Sequence, residues 1–304
     1  MTVSVRAQIQ LLPDGRRLHL HDGPIDLIVE AFGSKTAVKA AYDAAAERFV
    51  HVLDELCVEL AILRRPANVA SPSARMPIAR RMVAAVAPYR ERTFITPMAA
   101  VAGAVAEEIL AAMTSAADLS RAYVNNGGDI ALHLAPGEHF VAGMVEHSDR
   151  TSLFGTAALV SDQPVRGIAT SGWRGRSFSL GIADAVTVLA DRAAMADAAA
   201  TIIANAVDLP GHPGITRLRA CDFAPENDLG ERLVTQGVGQ LTPSETSAAL
   251  DAGVAIAHSL LSDGLIRFAA LRLQGETRVV GGNLELGTIS LPQTTQSNRS
   301  LLHA

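Results

Sequence analysis

The chain changes its hydrophobic period at Ser34, and that switch narrows the folds open to it more than any other feature. Before it, Val3 to Gln10, Arg17 to His21 and Ile25 to Phe32 are short extended runs. They are separated by Pro13-Asp14-Gly15 and Asp22-Gly23, turn chemistry that suits an antiparallel meander. After it, Val38, Tyr42, Ala45, Phe49, Leu53, Leu56 and Leu60 recur three or four residues apart, which puts them on one face of a helix. A single long amphipathic helix is expected, ending before Pro66, with a small polar loop at Asn68 to Ser73.

Further on, a helix is expected over Pro77 to Val86, a break at Pro88, and a second helix from about Met98 to Met113. Ala99, Ala100, Ala102, Gly103, Ala104 and Ala106 give the latter so little bulk that another element or a ligand can approach its backbone. Ala122 to Val124, Ile130 to Leu134, Phe140 to Val145, Ser152 to Val160 and Ala185 to Leu189 read as strands, and Asp191 to Val207 as helix. Thr242-Pro243-Ser244-Glu245 is a capping box opening a helix to about Leu261. Leu265 to Leu273 and Thr277 to Val280 form an expected hairpin turned at Gly275. Strands and helices mix without strict βαβ alternation, so the expectation is an α+β fold, antiparallel sheets packed with helices. One domain over 1–282 and a mobile tail over 283–304 are expected.

Of the 304 residues, 49% are hydrophobic but only 4% aromatic, so small side chains supply the core. A net charge of −5 gives no electrostatic reason to approach nucleic acid, which is excluded as a partner. Cys57 and Cys221 stand far apart without a CxxC partner and are expected to be ordinary buried thiols. The N-terminal run has no apolar signal-peptide core and is expected to be mature sequence. The longest apolar stretch, Phe94 to Ala106, contains Pro97 and Gly103 and falls short of the roughly 20 residues a bilayer span needs. A cytoplasmic protein without membrane contact is expected.

Three constellations could carry chemistry. In Asn125-Asn126-Gly127-Gly128-Asp129, two glycines free the backbone for positive φ or for a close ligand, with Asn and Asp side chains beside it. A plain hairpin turn fits the same residues. In Thr170-Ser171-Gly172-Trp173-Arg174-Gly175-Arg176, hydroxyls and two guanidinium groups suit phosphate oxygens, or the arginines are simply solvated. Trp173, the chain's one tryptophan, could cover an aromatic ligand or pack against the core. In Ala196-Asp197-Ala198-Ala199-Ala200-Thr201, a carboxylate and a hydroxyl one helical turn apart could share a hard cation such as magnesium. Alternatively Thr201 bonds back to the preceding turn and Asp197 is solvated. His19 and His21 alternate to one strand face and could pair on a metal or lie exposed. No GxSxG elbow, P-loop, HExxH or GxGxxG is present.

Taken in order, Pro97-Met98-Ala99-Ala100-Val101-Ala102-Gly103-Ala104, Asn126-Gly127-Gly128-Asp129-Ile130, Thr170-Ser171-Gly172, Ala183-Asp184-Ala185-Val186-Thr187-Val188 and Ala196 to Thr201 resemble the ApbE-type flavin-transferase superfamily. The likeness spans roughly 20–282, and the Pro-Met-Ala-Ala-Val-Ala-Gly run looks like its short cytosolic, thiamine-biosynthesis-like branch. The resemblance implies an ApbE-like fold and magnesium-assisted cleavage of FAD, with transfer of FMN to a Thr or Ser of an acceptor protein. It implies that Asp197 and Thr201 match the magnesium ligands, with a backbone carbonyl near Ile168 to Thr170. It further implies that Asn126, Gly127, Gly128, Asp129, Thr170, Ser171 and Gly172 line a flavin nucleotide pocket.

The sequence departs from the transferases where they carry a His-Ile-Ile-Asp-Pro-type segment: here Arg176-Ser177-Phe178-Ser179-Leu180-Gly181 has no histidine, so no catalytic residue is assigned. Two outcomes follow from the resemblance: a magnesium-dependent enzyme acting on FAD, or a flavin- or nucleotide-binding accessory protein of sulfur or cofactor metabolism that lacks chemistry. The alanine-rich faces permit a homodimer.

Overall fold

The computed structural model describes residues 6–70, 73–147, 150–282 and 301–303. In chain order these form β1 (Gln8–Leu11), β2 (Leu18–Asp22), β3 (Ile25–Phe32), α1 (Lys35–Phe49), α2 (Val52–Leu63), α3 (Pro77–Val86), α4 (Val101–Ala116), β4 (Arg121–Asn126), β5 (Asp129–Leu134), β6 (His139–His147) and β7 (Arg150–Val160). There follow β8 (Gly167–Ser171), β9 (Ala185–Ala190), α5 (Ala193–Ala206), β10 (Ile215–Arg219), α6 (Ala220–Phe223), β11 (Leu233–Val238), α7 (Pro243–Ser262), β12 (Phe268–Leu273), β13 (Glu276–Val280) and β14 (Leu301–His303). The fold is α+β, with antiparallel sheet packed by helices and no barrel among the described residues. The chain separates into two compact units: the first holds the chain up to His139 with Val160–Ile168 and Asp191–Ala198, the second Phe140–Leu159, Ala169–Ala190 and the chain from Ala199.

In the first unit β1, β2, β3, β4 and β5 form an antiparallel meander, and β5 pairs with the start of β8 through Ile130 and Ile168. Leu18, Leu20, Leu27 and Val29 alternate to a buried face, the period of two that the turns at Asp14-Gly15 and Asp22-Gly23 set up. The single long helix of the sequence expectation is two helices. Val50 keeps a helical φ of −61°, but φ opens to −102° at His51 and the ψ values of −16° and −15° flatten the turn and interrupt the ladder. No glycine or proline marks the break, so the apolar spacing ran through it. Ser34 caps α1 by accepting from the Ala37 amide. Ala41, Ala45 and Phe49 form its buried face.

The helical run Pro97–Ala116 begins as a 3-10 turn, Pro97–Ala100, and continues as α4. By length and composition it could cross a bilayer, which corrects the expectation that no apolar segment is long enough. Here it is a core helix: Gly103, Ala104, Val105, Ala106, Ile109, Leu110 and Met113 are buried, and it packs on α1, α3, β4 and β5. Its two acids are matched within the first unit. Glu108 pairs with Arg48 of α1 and Arg81 of α3, and Glu107 lies 3.5 Å from Arg81.

In the second unit β8 is hydrogen-bonded to β9, all six of whose residues are buried. β9 pairs antiparallel with β12, and β12 with β13. The β12–β13 turn needs positive φ at both Gln274 (44°) and Gly275 (88°). α7 packs on this hairpin and opens with the expected capping box: Thr242 Oγ1 accepts from the Glu245 amide, and Glu245 Oε2 accepts from the Thr242 amide at 2.7 Å. β10 and β11 make a separate two-stranded ribbon that the apolar pattern had not announced. Leu301–His303 pair parallel with β6, while 283–300 and Ala304 of the expected tail lie outside the described residues.

Candidate functional site

The expected site residues divide between the two units. In the first, β4 ends at Asn126 and β5 starts at Asp129, so Gly127 and Gly128 are a two-residue hairpin loop with φ of 65° and 114°. The hairpin is real, and it is also anchored. Asn125 Oδ1 accepts from the Gly128 amide at 2.8 Å, and Asn126 Nδ2 donates to the Ala102 carbonyl of α4 at 3.2 Å. The loop is thereby tied to the N-terminal turn of α4.

The same turn of α4 holds Asp197. Its Oδ2 accepts from the Gly103 amide at 3.0 Å, and the Ala102 amide also bonds its carboxylate. These are amides that α4 itself cannot satisfy. The exchange runs both ways, because Glu107 Oε1 of α4 accepts from the Ala194 amide in the first turn of α5 at 2.9 Å. Glycine makes this possible: a Cβ on Gly103 would lie 2.4 Å from the Ala193 carbonyl, and one on Gly167 2.2 Å from the Ala193 amide. The small face of α4 is therefore approached by protein, the start of α5. Although Asp197 as a residue is half-buried, its carboxyl is crowded by protein. Burial first, and then the nearby charge of Asp129, push its pKa well above the ordinary carboxylate range, with the two amide bonds pulling the other way.

Thr201 lies one turn further along α5, in the part belonging to the second unit. It is half-buried and makes no hydrogen bond among the described residues, so the expected alternative, a bond back to the preceding turn, is not formed. No group of three or more His, Cys, Asp or Glu side chains among the described residues is placed to hold a metal. What exists is a hard-oxygen set in which Asp197 feels Asp129, and crowded carboxylate charge is what a divalent cation relieves. Those residues fit magnesium only if ligand oxygens or water complete the shell.

In the second unit the Thr-Ser-Gly loop is built around Asp184, which is 7% exposed. Asp184 Oδ1 accepts from Trp173 Nε1 at 3.2 Å and Arg174 Nε at 2.9 Å, and Oδ2 accepts from the Gln274 amide at 2.6 Å. Gly172 is pressed so closely on this segment that a Cβ would lie 2.4 Å from the Asp184 carbonyl. Thr170 Oγ1 sits 2.9 Å from the buried Thr187 Oγ1, while the half-buried Ser171 hydroxyl has no partner among the described residues. Arg176 is exposed and has no partner among the described residues. The sequence shows Asp184 within its strand motif but not its role as the loop's common acceptor; a single acid ahead of a strand whose one polar residue is Thr187 was the available signal.

His19 Nε2 lies 2.7 Å from Asp26 Oδ1, and the His19 and His21 rings are 6.3 Å apart, which assigns His19 to a strand-to-strand pair. Cys57 is exposed and Cys221 half-buried, which corrects the expectation of two buried thiols: on α2 the buried positions are Val52, Leu56, Glu59 and Leu63, and Cys57 points away from them.

The family model described as AbpE bacteria matches residues 9–279. A UPF0280 protein of Methanopyrus kandleri is 38% identical over 149 residues, 49% of this chain and 56% of its own. UPF0280 proteins of Methanococcoides burtonii (41% over 123 residues, 40% and 49%) and Methanothermobacter thermautotrophicus (40% over 119 residues, 38% and 44%) are also similar. The chain spans about half the length of these curated relatives.

Proposed function

Because the chain belongs to the AbpE bacteria family, a family related to ApbE-like proteins, we propose that it binds FAD together with magnesium and acts at the FAD pyrophosphate. The short cytosolic branch and a cytoplasmic setting are part of this reading. The observation that carries it is Asp197: a carboxylate fixed by the first-turn amides of α4, under the charge of Asp129, beside a glycine hairpin tied to the same turn. Asp197 and Thr201 hold the cation in this reading, and Asn126, Gly127, Gly128 and Asp129 contact the nucleotide. Bound magnesium supplies Lewis-acid stabilisation of charge developing on phosphate oxygens. The protein's own part is positional: α4 holds Asp197 in one orientation, and the Thr201 hydroxyl, which has no hydrogen-bond partner among the described residues, needs none of their bonds broken to turn to a ligand.

The second reading, an accessory protein that binds the flavin nucleotide without chemistry, is favoured by the loop after Gly172. Arg174 to Phe178 are exposed, and no histidine occurs between Gly172 and Ile182 to serve as a base. Turnover separates the two. FAD incubated with the protein and magnesium, then chromatographed, yields FMN and AMP, or FMN bound to an acceptor protein, if the enzyme reading holds. FAD recovered intact after saturable binding establishes the accessory protein. FAD that does not bind removes both.

A further inference from the structure

The loop of the second unit carries an arrangement that neither the comparisons nor the magnesium reading uses. Trp173 is half-buried, and its position is fixed at two points: its amide donates to the Ala183 carbonyl at 3.0 Å and its indole N–H to Asp184 at 3.2 Å. The polar edge of the indole is therefore spent on the protein, which leaves the ring to act only through its faces. Arg174 covers one of them, with its guanidinium carbon 4.5 Å from the ring centroid. Only Arg174 Nε is engaged, by the same Asp184; both terminal nitrogens have no hydrogen bond among the described residues, and the side chain is 45% exposed. The Ser171 hydroxyl, two residues before Trp173, is likewise unpartnered and half-buried.

We infer that Trp173 and Arg174 form a preorganised stacking plate for a flat aromatic ring joined to phosphate, the ring meeting the indole and the phosphate meeting the free nitrogens of Arg174 and the Ser171 hydroxyl. An aromatic face takes any π-system, and a guanidinium with two free nitrogens is suited to phosphate oxygens. Asp184 makes the plate rigid before a ligand arrives, so little ordering cost falls on binding. This inference rests on the proposed FAD binding and is built only from residues of the second unit; the ring that stacks on the plate is either the isoalloxazine or the adenine.

The test measures FAD binding by equilibrium dialysis, and the fluorescence lifetime of the bound flavin, for the unaltered protein, Trp173→Phe and Trp173→Ala. Each variant is first checked for an unchanged circular dichroism spectrum and melting temperature. Trp173→Ala weakens FAD about tenfold, while Trp173→Phe, which retains a stacking face, loses much less. A bound-flavin lifetime that is short in the unaltered protein and several-fold longer in Trp173→Phe identifies the isoalloxazine, because indole quenches a stacked flavin and a phenyl ring does not. Equal lifetimes together with the tenfold loss in Trp173→Ala identify the adenine. Unchanged affinity in folded Trp173→Ala overturns the plate and leaves FAD binding standing. Failure of the unaltered protein to bind FAD overturns both.

Discussion

Asp197 Oδ2 accepts the Gly103 amide at 3.0 Å, so a side chain on α5 closes the open first turn of α4. Loss of such a cap costs about 0.5–2 kcal/mol. Asp197→Ala is expected to lose about that much stability, measured by urea unfolding. Asp197→Asn, whose amide oxygen still accepts, is expected to lose less than half of it. Equal losses in the two variants would mean that the carboxylate's bonds to α4 carry no stability.

Gly103→Ala sets two effects against each other. Alanine gains about 1 kcal/mol of helix propensity over glycine. The added Cβ, however, falls 2.4 Å from the Ala193 carbonyl, backbone that cannot swing aside, and overpacking of this kind costs about 1–3 kcal/mol or more. Net destabilisation is expected by thermal unfolding; a raised melting temperature would show that α5 does not press on α4 as closely as described.

The elements most legible in the sequence were those whose cause is local. The capping box at Thr242 and Glu245, the Asp22-Gly23 turn and the hairpin at Gly275 depend on residues within four positions of each other, and all three form, although β12 begins at Phe268 and not at the expected Leu265. The break at Val50 and His51 was not legible, because it changes the backbone angles of two residues without disturbing the apolar spacing. The β10–β11 ribbon was missed because its outward residues include Leu218 and Leu233, 47% and 53% exposed, which erase the alternation that marks a half-buried strand. For the site, the Asn126 to Asp129 turn and Asp197 were visible as residue types. The capping of α4 by Asp197 was not, since Gly103 and Asp197 are 94 positions apart.

Acid should act on α7 through Glu245. Its carboxylate accepts from the Thr242 amide and hydroxyl and pairs with His212, and these bonds hold its pKa at about 2 against an ordinary 4.5. A depressed folded pKa means that the group stabilises the fold above pH 4.5 and that this stability is lost as pH falls from there towards 2. The stability difference between the unaltered protein and Glu245→Gln, followed by circular dichroism in denaturant, is expected to be constant above that window and to shrink across it. A difference that does not change with pH contradicts the role given to the ionised Glu245.

Asp184→Ala removes the one acceptor shared by Trp173 Nε1, Arg174 Nε and the Gln274 amide. Stranding a fully buried donor costs about 1–3 kcal/mol; because Trp173 and Gln274 are half-buried and Arg174 is exposed, a loss of about 1–2 kcal/mol in all is expected. Trp173 is the chain's single tryptophan and reports directly. Its emission should shift to the red in the folded variant; unchanged emission would mean that Asp184 does not hold the ring.

Whether Asp197 serves a magnesium-dependent nucleotide site as well as capping α4 is decided by calorimetry. FAD is titrated calorimetrically into the unaltered protein and into Asp197→Asn, each with and without magnesium, the asparagine keeping an acceptor for α4 while losing the charge. Magnesium is expected to tighten FAD binding to the unaltered protein by about tenfold or more, equivalent to about 1.4 kcal/mol, and to have no effect on the variant. FAD binding that is absent, or that is equally strong in all four titrations, contradicts that role of Asp197.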